Sequence, residues 1–258
     1  MGFVFDIATL AGGLFVSMLV LLETSRRLGL RRLAQDSEAA QAGFGVVGGA
    51  IFALMGLLIA FTFSGAASRF DTRRQLVGEE ANAIGTSYLR LDLLPANAQA
   101  VLRESFRQYV EARLDAYRKL PEVVAAKQAL AHAAQFQGQI WSQALAACQV
   151  GPQAATMLLL PSLNAMIDIT TTRSVATQIH PPLVIFAMLC VLALASSLLA
   201  GYSMAGGRLS SCWMHMLAFA VIMAVTVYVI LDLEYPRLGL IRVDAVDQVL
   251  VDLRDSMK

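Results

Sequence analysis

The sequence predicts an all-α integral membrane protein: four transmembrane helices in two hairpins, with an extramembrane helical bundle inserted between them. Three observations carry this. Residues 3–22, 44–63, 183–202 and 212–231 are apolar runs of about 20 residues each, the length that crosses a hydrocarbon core of roughly 30 Å. The runs come as two pairs, separated by a polar segment over 64–182. Charge is also segregated. Among Asp, Glu, Lys, Arg and His, only Asp6 and His215 fall inside the runs, and all 20 Lys and Arg lie outside. The layout is therefore spans one and two (1–66), a helical domain (67–180), spans three and four (181–233) and an amphipathic tail (234–258).

Span one lacks a positive leader and has Asp6 where one would stand, so it reads as a retained anchor rather than a cleaved signal peptide. Span two is the most patterned element. Gly45, Gly49, Ala53, Gly56, Ala60 and Ser64 recur every three or four residues and draw one stripe of small side chains down a helix. Ile51, Met55, Leu58 and Thr62 run away from it. Small residues let backbones approach closely where lipid supplies no hydrophobic drive for association. The stripe fits packing against another span of the same subunit; the sharper alternative is a subunit contact or a pore wall.

The polar segment reads as helices throughout. Residues 71–94 have apolar positions at Leu76, Ile84, Tyr88 and Leu91 and stop before Pro95. Asn97 is a candidate N-cap for the next helix, whose face carries Leu102, Phe106, Val110, Leu114 and Tyr117. Pro121 suits the first turn of a third helix, Gly151-Pro152 ends it, and a fourth reaches Gln178, with Pro161 marking its start or a kink. Only Gly65 interrupts the path from span two into this domain, which predicts one continuous rod. In the tail, Leu240, Val243, Val246, Leu250 and Leu253 recur at helical spacing among aspartates.

Composition excludes several functions. A net charge of +1 gives no electrostatic case for nucleic acid. Cys148, Cys190 and Cys212 are odd in number and widely spaced, with no metal-ligand pattern. No nucleophile, metalloprotease or phosphate-loop motif occurs, so no catalytic residue, metal site or cofactor is assigned. The short loop after span one holds Arg26, Arg27, Arg31 and Arg32, and the loop between spans three and four holds Arg208. Short basic loops stay in the cytoplasm, which places the helical domain in the periplasm of a bacterial inner membrane.

Candidate sites come from topology. Span two exits, span three enters and span four exits on one membrane face, so Arg69, Asp71, Arg73 and Arg74 are expected near His180, Asp232, Glu234 and Arg237. This set reads as a salt-bridge collar or as a charged mouth that selects ions. Glu79 and Glu80 point about 100° apart on a helix, so at most one faces inward. That inward carboxylate is expected to pair with an arginine of another helix, or to contact an ion together with Asn82. His132 has no ligand-spaced partner, and His215 sits near a span end.

Two segments carry a family resemblance: FTFSGAASRFDTRRQLVGEEANAIGTSYLRLDLLP over 61–95 and DLEYPRLGLIRV over 232–243. Both are similar to a bacterial membrane family labelled bestrophin-like. The matching positions are Arg69, Asp71, Arg73, Arg74, Glu79, Glu80, Asn82, Gly85, Thr86, Arg90, Asp232, Pro236, Arg237, Gly239 and Arg242. The resemblance implies an oligomeric ion channel with four spans per subunit, a central pore and helical extensions, which in bestrophins are cytoplasmic. No acidic cluster of the bestrophin calcium-clasp kind is evident. The expectation is a non-enzymatic homo-oligomer of four or five copies in the lipid bilayer that conducts ions. Span two would line or flank the pore, with Ile51, Met55, Leu58 and Thr62 as constriction. The alternative is a membrane sensor or scaffold whose helical domain binds a ligand or partner.

Overall fold

The computed structural model describes residues 7–32, 38–120, 122–205, 209–236, 239–241 and 244–257. Among them every regular element is helical: α1 (Ile7–Arg32), α2 (Glu38–Leu89), a 3-10 turn (Arg90–Leu93), α3 (Ala96–Arg118), α4 (Val123–Val150), α5 (Gln153–Gln178), α6 (Leu183–Ser203), α7 (Leu209–Glu234) and α8 (Asp244–Ser256). Four stretches are long and apolar enough to cross a membrane, within Ile7–Arg31, Gly45–Leu93, Gln153–Ser203 and Cys212–Glu234. The all-α, four-span class expected from the sequence is the observed one. Asp6, Pro121, Arg208, Arg237, Arg242 and Val243 lie outside the described residues.

The chain divides into two compact units, 1–68 with 180–240 and 69–179 with 241–258. Helix α2 runs unbroken through Gly65 and through the point where the chain passes from one unit to the other.

In the first unit, α1 packs on α6 and α7. Its core joins Leu14, Met18 and Leu22 to Leu189, Ala193 and Ala200, and to Met216, Ala220, Met223 and Val227. Van der Waals packing, not hydrophobic burial, holds helices together in lipid, so contact distance matters most. Gly201 sets that distance. A Cβ there would lie 2.9 Å from both the Cα and the carbonyl carbon of Leu22. Gly29 repeats the device two turns on along α1, where a Cβ would lie 2.8 Å from that of Ala205. Between them the Ser25 hydroxyl donates to the Leu198 carbonyl at 2.5 Å.

The second unit has a conventional apolar core. Val77, Ile84 and Leu91 of α2 and its following turn meet Leu102, Phe106 and Val110 of α3, Ile140 of α4, and Leu159, Leu163 and Met166 of α5. Helix α8 adds Leu250, fully buried, and the chain end adds Met257. One expectation needs correction and another is narrowed. Helix α3 starts at Ala96 with Pro95 as its flanking residue, so Asn97 sits inside the first turn and caps nothing. The cause is Pro95, whose fixed φ already suits helix entry. Pro161 lies inside α5, so of its two expected roles the helix start is excluded and the kink is the one that remains. It removes the hydrogen bond to the Met157 carbonyl and crowds that turn. Arg90 donates to the adjacent Leu158 carbonyl at 2.6 Å, an added contact beside that opening.

Candidate functional site

Three groupings hold the residues that the sequence singled out. The first is the membrane-spanning part of α2. Gly48, Phe52, Met55, Ile59 and Ala66 mark its covered side. Met55 is only 5% exposed and Ala66 only 1% in the core of the first unit. Phe52 meets Phe219 of α7 edge to face at 6.1 Å. Ile51, Leu58 and Thr62 are half-buried on this same side, and the Thr62 hydroxyl donates back to the Leu58 carbonyl at 2.7 Å. The small-residue stripe is the uncovered side: Gly45, Gly49, Ala53, Gly56, Ala60 and Ser64 are all exposed. Beside it lie Leu54, Leu57 and Phe61, exposed by 53%, 53% and 68%. Of the four expected constriction residues, Met55 is packed within its own chain, whereas Ile51, Leu58 and Thr62 keep partial exposure.

The second grouping ends α7 and begins α6. His180 Nδ1 lies 2.9 Å from Glu234 Oε1, and its ring stacks on Tyr235 with centroids 4.5 Å apart. Glu234 and Asp232 are fully buried. Asp232 Oδ2 accepts the Leu240 backbone N–H at 2.9 Å, which turns the chain back onto the end of α7. A Cβ on Gly239 would run into the Asp232 carboxylate, so the bare glycine makes the turn feasible. Asp232 and Gly239 of the DLEYPRLG segment thus form one local device, and Arg237 of that segment lies outside the described residues.

The third grouping is the polar heart of the second unit. Of the adjacent pair, Glu79 is exposed and Glu80 is fully buried. Arg113 Nε of α3 donates to Glu80 Oε1 at 2.7 Å, and Arg173 Nη1 of α5 donates to Oε2. Arg113 also donates to the Tyr117 hydroxyl at 2.6 Å, while the Arg173 guanidinium lies 4.2 Å above the Tyr117 ring centroid. Asp247 of α8 approaches Arg173 to 3.7 Å. One carboxylate between two guanidiniums, with a second carboxylate behind one of them, gives a buried group of balanced charge. Burial, reinforced by the negative charge of Glu80, pushes the Tyr117 hydroxyl up to about 12 from 10.0.

The folded protein holds the Tyr117 proton above the pH at which the unfolded chain releases it. The stabilising contribution is therefore complete below pH 10.0 and lost as pH rises toward about 12. The midpoint of thermal unfolding is expected to fall across that window, and Tyr117→Phe is expected to flatten the fall. Equal alkaline slopes for the two proteins would contradict this assignment.

The other predicted positions distribute as follows. Arg73 is buried, with Nε donating to the Ala176 carbonyl and Nη2 to the Ile179 carbonyl, both at 3.0 Å. It satisfies carbonyls left open at the end of α5 and complements that helix dipole. Arg74 and Asp71 form an exposed pair at 3.7 Å, Arg69 is half-buried, and Asn82 is exposed beside Thr86 and Arg90 in a groove against Pro161 and Ser162. His132 is exposed and tilts against Phe136, 4.7 Å between centroids. Sequence reasoning expected an arginine of another helix on the inward carboxylate and placed Tyr117 on the apolar face of α3, but it named neither Arg113 nor Arg173. A signal for Arg113 existed: it sits on the apolar face of α3, one turn from both Tyr109 and Tyr117, where a charge demands a partner.

Comparison with known proteins places this architecture. A family model described as a bestrophin-like domain matches residues 12–247. A bacterial bestrophin homolog from Klebsiella pneumoniae carrying a point mutation is similar in structure over 94% of this chain and 98% of its own, with a TM-score of 0.68 at 15% sequence identity. Another structure of a bacterial bestrophin homolog from Klebsiella pneumoniae, phased on zinc, is similar over 93% of this chain and 98% of its own, with a TM-score of 0.61 at 16% identity. At these identities the likeness speaks for the fold. Comparison with curated proteins returns no match. With the family model covering nearly all of its spans and insert, this membrane protein belongs to the bestrophin-like domain family.

Proposed function

We propose that the chain assembles with copies of itself in the membrane and conducts ions through a pore that α2 lines or flanks. The single observation that carries this is the uncovered side of α2. The small-residue stripe and its Leu54, Leu57 and Phe61 neighbours are left open by the chain's own helices, while the opposite side is packed. A glycine stripe offers lipid nothing, but it lets a neighbouring helix approach closely. In a ring of copies, the stripe meets the next subunit and Leu57 and Phe61 turn toward the axis, where a hydrophobic constriction gates by dewetting. The bestrophin resemblance, which implies an oligomeric channel, supports the same reading.

Two measurements test it. Purified protein in a planar bilayer is expected to carry current, and Phe61→Ala to increase it by widening the constriction; silence of both across pH, calcium and voltage would overturn the proposal. Gly56→Leu is expected to lower the native mass in detergent without unfolding the chain, since nothing lies within 4 Å of a Cβ at Gly56.

Sidedness rests on two arguments that disagree. The arginines of the first short loop put the helical unit in the periplasm. Bestrophin extensions are cytoplasmic. Labelling Val101→Cys in intact cells with a membrane-impermeant maleimide decides: modification means periplasm, and modification only after permeabilisation means cytoplasm.

A further inference from the structure

We infer that the α4–α5 side of the helical unit meets a neighbouring copy of this chain, whereas the α3–α8 side faces water. The inference rests on the self-assembly proposed above and names the surface that it uses outside the span.

Helices α4 and α5 carry only Lys127, Asp168 and Arg173 among Asp, Glu, Lys and Arg, although they span 28 and 26 residues. Arg173 is buried on Glu80, which leaves Lys127 and Asp168 for two whole outer faces. The shorter α3, 23 residues, has seven such residues from Arg103 to Arg118, and α8 has five in 13. Exposed apolar side chains follow the opposite trend. Val124 is 73% exposed and Val150 79% on α4, and Met157 is 68% exposed on α5. Among the described residues, α3 shows one large exposed apolar side chain, Val101, and α8 one, Val249. Ordinary soluble domains carry about a quarter charged residues. The cores of protein interfaces are the surfaces depleted in charge.

The chemistry of this face selects its occupant. A lipid surface recruits helices through clustered basic residues, and Lys127 alone does not make a cluster. A closed ring requires each copy to offer two different sides to its neighbours without burying unpaired charge. In this unit α8 packs on α3, α3 on α4, and α4 on α5. The two charge-poor helices therefore adjoin, and α8 lies on the charged α3. Two adjoining outer faces that carry only Lys127 and Asp168 as charges fit a second copy of the same chain.

Single cysteines at exposed positions test this without knowledge of the register. Val124→Cys, Leu145→Cys and Met157→Cys report on α4 and α5; Val101→Cys and Val249→Cys report on α3 and α8. Each purified protein is labelled with a hydrophilic maleimide, in lipid nanodiscs and in detergent, with native mass measured in parallel. The unsubstituted protein sets the background from Cys148, Cys190 and Cys212. The expected result is loss of labelling at the α4–α5 positions in both media, with α3 and α8 labelled freely. Free labelling of α4 and α5 in protein of oligomeric mass overturns this inference and leaves assembly standing. Protection that vanishes on transfer from nanodisc to detergent at unchanged mass overturns it in favour of lipid. A monomeric mass throughout overturns the assembly reading as well.

Discussion

Glu80→Gln is expected to destabilise the helical unit by about 3–5 kcal/mol, the typical cost of removing one partner from a buried ion pair. The carboxylate is fully buried and takes one guanidinium on each oxygen, Arg113 from α3 and Arg173 from α5. Without its charge the two arginines face each other, with only Asp247 at 3.7 Å from Arg173 to compensate. The measurement is thermal unfolding followed by Trp141, which is half-buried against this unit's core. Glu79→Gln is the control, because that side chain is exposed; it is expected to shift stability by no more than about 0.5 kcal/mol. Adding Arg173→Met to Glu80→Gln is expected to recover part of the loss, since an apolar side chain of similar length removes the orphaned charge. Equal midpoints for Glu80→Gln and Glu79→Gln would remove the ionic group from any structural role.

Gly201→Val is the second large effect. Any side chain there meets the backbone of Leu22, and backbone cannot rotate away as a side-chain tip can. Overpacking a tight core costs typically about 1–3 kcal/mol. A clash with main chain belongs at the upper end of that range or beyond, because α1 and α6 must separate along their whole contact. Gly12→Val is the matched control on α1, where a Cβ would meet nothing within 4 Å. The expected outcome is a lower unfolding midpoint and a polydisperse detergent complex for Gly201→Val, with Gly12→Val close to the unsubstituted protein. Matching behaviour of the two variants would show that the α1–α6 spacing is not set by this glycine.

Much of the fold was legible because its signals are local. Length and apolarity identify a span without knowledge of its neighbours. The continuous α2 was readable because one glycine between Ser64 and Asp71 costs a helix only about 1 kcal/mol. The entry to α3 was not, because Asn97 is a good capping residue that Pro95 pre-empted. The candidate site was legible in part. That one of Glu79 and Glu80 points inward follows from helix geometry alone. Which one does, and onto which arginines, does not.

The sequence by itself determined the class of this protein: four apolar helices in two pairs, an inserted helical unit, and no motif for catalysis. Only the tertiary structure decided which side of α2 stays open and where the buried charges meet. Glu80 finds partners 33 and 93 residues away, and Met55 is claimed by a core drawn from α1, α6 and α7. The reason is physical: helical periodicity fixes which residues share a face, whereas the neighbour that covers that face comes from remote chain and is chosen by how closely the backbones can pack.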